Sequence, residues 1–179
     1  MAEITFISGG CRSGKSSYAE EEVLNKSGKH YYLATAEAFD HEMKDRINRH
    51  REIREGKGWL TFEEAIEPEK IIKKLESGIV LLDCLTLWIS KLMWEAEKKE
   101  QVISEKWMAE RAENLISVMK QSPCSFVVVS NETGLGIMPM NAQARLFGDL
   151  AGRTNQLFAA AAKKVVFMVS GLPMVLKDD

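Results

Sequence analysis

Gly9-Gly10-Cys11-Arg12-Ser13-Gly14-Lys15-Ser16 follows the apolar stretch Ile4-Thr5-Phe6-Ile7 at a distance of one residue. A glycine, four residues, then Gly-Lys-Ser is the spacing of a phosphate-binding P-loop, here with a strand before it and a helix after it. Gly9 and Gly14 let the backbone turn tightly, so that the N–H groups of Gly10, Cys11, Arg12 and Ser13 can face an anion. Lys15 brings a point charge to the outer phosphates, and the Ser16 hydroxyl is placed to ligate Mg²⁺. The helix beginning near Lys15 aims its positive dipole end at the same spot. The plainer alternative is a glycine-rich turn with a surface lysine. The strand–loop–helix setting favours a bound nucleoside triphosphate.

Two further residues have the right chemistry. Asp83 ends the apolar run Gly78-Ile79-Val80-Leu81-Leu82. An acid at the tip of a buried strand holds magnesium in P-loop proteins, directly or through water. The same residue could instead cap a helix starting near Cys84. His50 sits in a charged segment from Glu42 to Glu52. On a helix, Met43, Ile47 and His50 share one side, and Arg46, His50 and Arg54 form a row. Flanking arginines disfavour the imidazolium, and neutral imidazole is a nucleophile to which those arginines would draw a phosphate. Periodicity alone leaves a solvated helix face as the ordinary alternative. His30 precedes a strand and His41 opens a helix, and neither suggests chemistry.

The elements that must position these groups alternate along the chain. Short apolar runs at Ile4–Ile7, Tyr31–Ala34, Ile79–Leu82, Phe126–Val129 and Val165–Val169 suit strands buried on both faces. Weaker strands fall near Trp59–Phe62 and Met174–Leu176, where Pro173 suits an edge or a strand start. Helical patterns occupy Lys15–Leu24, about Asp40–Arg54, Glu69–Leu75, a long stretch within Thr86–Met119, and Asn141–Ala162. This predicts an α/β fold, a mostly parallel sheet with helices on both faces. Ligands then bind at the carboxyl ends of the strands, where Gly9–Ser16, Thr35–Glu37, Asp83 and Asn131–Gly136 should converge.

With 179 residues, 45% hydrophobic and 28% charged, the composition fits one catalytic domain spanning residues 1–179. A net charge of −2 supplies no basic field for nucleic acid. No apolar run is long enough to span a bilayer, and the N-terminus lacks the regions of a signal peptide. Three widely spaced cysteines, Cys11, Cys84 and Cys124, argue against a disulfide framework or a zinc site and for reduced thiols in the cytoplasm. The apolar helix carrying Trp88 and Trp94 suggests core or a subunit interface, and Glu95–Glu100 a solvated connection.

Several segments taken in order resemble one family, the bifunctional adenosylcobinamide kinase / adenosylcobinamide-phosphate guanylyltransferases of cobalamin synthesis. Beyond the P-loop they are Tyr32-Leu33-Ala34-Thr35-Ala36, Glu42-Met43-x-x-Arg46-Ile47-x-x-His50 and Trp59-Leu60-Thr61-Phe62-Glu63. Asn131-Glu132-Thr133-Gly134-Leu135-Gly136-Ile137-Met138-Pro139, Gly152-Arg153-Thr154-Asn155-Gln156 and Val169-Ser170-Gly171 complete the set. The resemblance implies a RecA-like P-loop fold, Mg²⁺ as cofactor, and a homotrimer. It implies phosphorylation of adenosylcobinamide with ATP or GTP, then transfer of GMP from GTP to adenosylcobinamide phosphate through a guanylylated histidine matched by His50. It also marks Thr35, Ala36, Glu37, Arg51, Glu52, Ile53, Arg54, Glu63 and Asp83 as nucleotide-site positions. Family members can carry His at Arg49 and Glu at Asp83.

A single-activity P-loop kinase of a small metabolite is the nearest alternative. A GTP switch fits poorly, because Asp149-Leu150-Ala151-Gly152 lies in a helical pattern far from the loop, and Asn25-Lys26-Ser27-Gly28 lacks the expected acid.

Overall fold

Alternating apolar runs and helical segments fold as the pattern dictates. The elements are β1 (Ile4–Gly9), α1 (Lys15–Leu24), β2 (His30–Ala34), α2 (His41–Arg54), β3 (Trp59–Glu63), α3 (Pro68–Ile72) and β4 (Ile79–Asp83). They continue with α4 (Leu85–Lys98), α5 (Glu105–Gln121), β5 (Ser125–Asn131), α6 (Ala142–Ala161), β6 (Lys164–Val169) and β7 (Leu172–Asp178). The computed structural model describes residues 2–37 and 41–179. In α2 the side chains of Glu42, Met43, Arg46, His50 and Ile53 lie outside the description, so the expected Met43–Ile47–His50 and Arg46–His50–Arg54 alignments fall there too.

The seven strands form one sheet in the order β3-β2-β4-β5-β1-β6-β7. All neighbours are parallel except β7, which returns antiparallel on β6. The central strands are apolar at successive positions because both faces are covered. Ile4, Phe6, Leu33, Leu82, Phe126 and Val128 bury against one set of helices with Trp88, Met108, Leu115 and Phe158. The alternate residues Ile7, Tyr32, Leu81, Val127 and Val129 pack on the opposite face against Ala19 and Val23 of α1.

Three local departures from the sequence reading have simple causes. The helix expected over Glu69–Leu75 spans only Pro68–Ile72, and the next residues bond back three positions, Lys74 N to Ile71 O and Leu75 N to Ile72 O. Such tightened bonds satisfy terminal carbonyls but end the α-helical run. The long stretch within Thr86–Met119 is two helices. Glu100 adopts a left-handed φ of 53°, and Gln101 N turns back to Ala96 O, closing α4. The Ser104 hydroxyl then accepts from Trp107 N at 3.2 Å and caps α5. Strands β1 and β5 also run longer than expected, carrying Gly9 and Asn131 as their last residues. Pro173 sits on the antiparallel edge strand, as its missing N–H favours.

The sheet centre, not its edge, should hold the stability. Leu82→Ala, at a fully buried position, should cost about 2–5 kcal/mol. Leu176→Ala, on the exposed face of β7, should stay within about 0.5 kcal/mol. Urea unfolding followed by circular dichroism measures both.

Candidate functional site

The carboxyl ends of β1, β2, β4 and β5 converge as expected. They border a cavity of about 650 Å³ whose walls include residues 11–17, Ala36, Asp83 and Asn131–Thr133. The P-loop at its base is tightly built. Gly9 packs so closely that a Cβ there would lie 2.7 Å from both Met168 O and Ser13 Oγ. Gly14, the residue before α1, has φ of 91°, a conformation that suits glycine. The loop is tied to its surroundings by Glu132 N to Gly9 O and Gly171 N to Ser13 O, both 2.9 Å. Lys15 is buried, with its Nζ donating to Gly10 O across the cradle at 2.9 Å. The Ser13 hydroxyl is buried without a hydrogen-bond partner among the described residues. Cys11 and Arg12 are exposed at the loop's crest, and Ser16 borders the cavity.

Asp83 is not a helix cap. The residue that caps α4 is Cys84, and it does so without a side-chain bond. Asp83 Oδ2 instead accepts a 2.6 Å hydrogen bond from the Tyr32 hydroxyl, leaving Oδ1 for another partner. Burial, then the Asp83 charge, hold the Tyr32 phenol well above its ordinary pKa, so it stays a donor. The buried Thr35 hydroxyl locks the ends of β2 and β4 together, accepting from Cys84 N at 2.8 Å and donating to Cys84 O at 2.7 Å. On the other side Asn131 Nδ2 donates to Thr86 Oγ1 at 2.7 Å, and Asn155 Nδ2 donates to Asn131 O at 3.2 Å. Tyr32, Thr86 and Asn155 carry no role in the sequence reading. A polar aromatic inside a run otherwise made for burial was the signal available for Tyr32.

A second cavity, of about 640 Å³, opens between α2 and β3, bordered by Arg51, Glu52, Trp59 and Glu63. Arg51 pairs with Glu63 across it, so these two positions meet each other first. Glu37 turns away to pair with the buried Lys91 of α4 rather than facing the P-loop. Arg54 borders both cavities. It is buried, its guanidinium lies 3.5 Å over the centre of the Tyr32 ring, and its Nε and Nη1 have no hydrogen-bond partner among the described residues. A desolvated cation with unused donors has the chemistry to receive an anion. Ile47 also borders the P-loop cavity, and His50 lies between Ile47 and Arg54 along α2, with its side chain outside the described residues. Among the described residues no group of three or more His, Cys, Asp or Glu side chains forms a metal cluster, and no helix is long and apolar enough to cross a membrane.

The family described as cobinamide kinase / cobinamide phosphate guanyltransferase matches residues 5–176. The chain is 37% identical to the bifunctional adenosylcobalamin biosynthesis protein CobP of Pseudomonas aeruginosa over 97% of its length and 96% of that protein's. It is 35% identical to CobU of Escherichia coli, covering 96% and 98%. It is 34% identical to CobU of Salmonella typhimurium over the same shares. A KaiC-like protein, PH0186 of Pyrococcus horikoshii, superposes with a TM-score of 0.54 at 11% identity over 92% of this chain and 70% of that one. That likeness carries the P-loop fold alone.

The cysteines should separate by reactivity. Cys11 is exposed on the loop, whereas burial pushes the Cys84 thiol up to about 11. A thiol reagent at pH 8 should modify Cys11 quickly and Cys84 only on unfolding. Bound nucleotide should slow the Cys11 reaction, which mass spectrometry of the labelled peptides reads directly.

Proposed function

The chain belongs to the cobinamide kinase / cobinamide phosphate guanyltransferase family and is an enzyme of cobalamin biosynthesis, and from that premise we propose how its residues divide two transfers between them. In the first, the P-loop cradles ATP or GTP, and the terminal phosphoryl group passes to the aminopropanol hydroxyl of adenosylcobinamide. The bond to the β-phosphate oxygen breaks and the nucleoside diphosphate leaves. Backbone amides and Lys15 meet the charge that spreads over the transferred group. In the second, a nitrogen of His50 attacks the α-phosphorus of GTP and expels pyrophosphate. The phosphate of adenosylcobinamide phosphate then attacks the same phosphorus and frees the histidine.

One observation supports this reading above the others. Ile47 and Arg54, three residues before His50 and four after it, both border the P-loop cavity. The helix of the proposed nucleophile therefore runs along the place where phosphates bind, with a buried cation at its end. The second cavity, with Arg51, Glu52, Arg54 and Glu63 on its walls, suits a purine and ribose, and we assign the guanosine end of GTP to it. Glu37 acts at one remove, fixing the turn after β2 through Lys91.

The residues present suit a divalent cation beside the phosphates. The Ser16 hydroxyl and the Asp83 carboxylate border one cavity, and both are hard oxygen donors of the kind Mg²⁺ takes. Mg²⁺ bound there would neutralise phosphate charge. Three unpaired cysteines suit a cytoplasmic setting, and the family resemblance makes the working form a homotrimer, which sedimentation equilibrium would measure.

Incubation with α-labelled GTP tests the histidine chemistry. Acid-labile label should appear on the wild-type chain, vanish in His50→Ala, and leave the wild type when adenosylcobinamide phosphate is added. An active wild type that never takes up label would favour a kinase with one activity. Lys15→Ala should lower both transfers by about a hundredfold or more while the circular dichroism spectrum is kept.

A further inference from the structure

Tyr32 stands between the two cavities and is held on three sides. Its hydroxyl donates to Asp83 on the P-loop side at 2.6 Å. Its ring face carries the Arg54 guanidinium at 3.5 Å. Its ring edge meets Trp59 of the second cavity at 5.7 Å and an interplanar angle of 90°. The side chain is only 4% exposed, so each contact is made without competition from water. Glu20 of α1 is the other charged group that acts on it, reinforcing the protonated phenol and being paired in turn with Lys57 at 3.9 Å.

The contacts on Arg54 are unusual in kind. Arg54 is the last residue of α2, and among the described side chains of that helix it alone is buried. Two of its nitrogens have no hydrogen-bond partner among the described residues, and the negative face of the Tyr32 ring is a described contact that holds the cation. Aspartate, phenol, guanidinium and helix end thus form one continuous chain of contacts.

We propose that Tyr32 is a positioning residue for guanylyl transfer, a strut that sets the Asp83 carboxylate with its hydroxyl and seats Arg54, and with it the C-terminal end of the histidine-bearing helix, on its ring. The proposal rests on the two-transfer reading above. Tyr32 touches no reacting atom. It makes the geometry at the phosphate-binding end depend on the geometry at the α2 end. Phosphoryl transfer needs only the Asp83 side of the strut, whereas guanylyl transfer needs both.

Two substitutions separate the halves. Tyr32→Phe keeps the ring under Arg54 and deletes the bond to Asp83. Tyr32→Leu removes both. We expect the rate of single-turnover labelling by α-labelled GTP to fall at least about tenfold further than phosphoryl transfer in Tyr32→Leu, whereas in Tyr32→Phe, which keeps the seat of Arg54, the two transfers should fall by one common factor. Tyr32→Phe should still weaken GTP binding, measured by calorimetry with Mg²⁺ present, by about threefold to tenfold. That loss should disappear when the same change is made in Asp83→Ala, which has no acceptor for the hydroxyl. A tyrosine that merely fills space would lower both transfers by one factor and show no such dependence on Asp83. Equal losses of the two transfers in Tyr32→Leu, an extra loss of labelling over phosphoryl transfer in Tyr32→Phe, or an undiminished binding loss in Asp83→Ala would each overturn the proposal. If Tyr32→Leu does not fold, the Phe variant and its cycle with Asp83→Ala decide alone. A wild type that takes up no label would sink the histidine chemistry itself, and the calorimetric cycle would then decide on the Asp83 half of the strut.

Discussion

An anion cradle built from backbone amides works only if the strand beneath it cannot shift. β1 meets that demand by its place in the sheet. It lies between β5 and β6, bonded in parallel register to both, from Ile4↔Phe126 to Gly9↔Asn131 on one side and Thr5↔Lys164 to Gly9↔Met168 on the other. Gly9 ends the strand against Met168 with no room for a side chain, so the chain must turn there. A loop held this firmly has little freedom to shift, which is the condition for electrostatic stabilisation without reorganisation. The same registers bring Asn131 beside Gly9 and Asp83 beside Ala34.

Around that fixed centre the polar groups are ordered by burial. Thr35 is 1% exposed and spends its hydroxyl on both backbone groups of Cys84, joining strand ends that side-chain packing alone would leave free to splay. Ser130, Asn155, Asn131 and Thr86 form a second chain of hydrogen bonds that fixes the opposite wall. A satisfied buried network of this kind is rigid, and a partly satisfied one costs stability. The groups left incomplete are therefore informative. Among the described residues, the Ser13 hydroxyl and two nitrogens of Arg54 are among the buried groups without partners, and both residues border the P-loop cavity, where on the proposed reading phosphates would supply acceptors and charge.

The sheet was legible because each strand is a short β-branched or apolar run, and every strand expected from the sequence is present. The loop was legible because its glycines, lysine and serine are a local motif that needs no tertiary information. The boundary between α4 and α5 was harder, since the charged run 95–100 reads equally as helix surface, and only the left-handed turn at Glu100 ends it. Glu37 and Tyr32 show where local reading stops. The partner of Glu37 is Lys91, 54 residues away, and the partner of Tyr32 is Asp83, 51 residues away. Such pairs arise when parallel strands and crossing helices bring distant segments together, and no spacing in the chain announces them. The resemblance marked Glu37 and Glu63 as nucleotide positions; each proves to carry an ion pair to another site residue or to a neighbouring helix.

The composition of α2 explains why its anchoring takes the form it does. Helices that pack on the sheet do so through an apolar stripe, as α4 does with Leu85, Trp88, Ile89 and Leu92. α2 reads His-Glu-Met-Lys-Asp-Arg-Ile-Asn-Arg-His-Arg-Glu-Ile-Arg and offers few apolar side chains for that purpose. Among those described, Ile47 is half-buried and the rest, apart from Arg54, are exposed. Among the described side chains, its holds on the body of the protein include the Arg51–Glu63 ion pair to β3 and, at its last residue, a cation on an aromatic ring. That contact is worth about 2 kcal/mol when desolvated, far less than a buried apolar face. Polar contacts of this kind rearrange at small cost, whereas α4 could not move without opening the core. On the two-transfer reading proposed above, a charged helix suits a nucleophile that must meet an innermost phosphorus and then yield to a bulky acceptor.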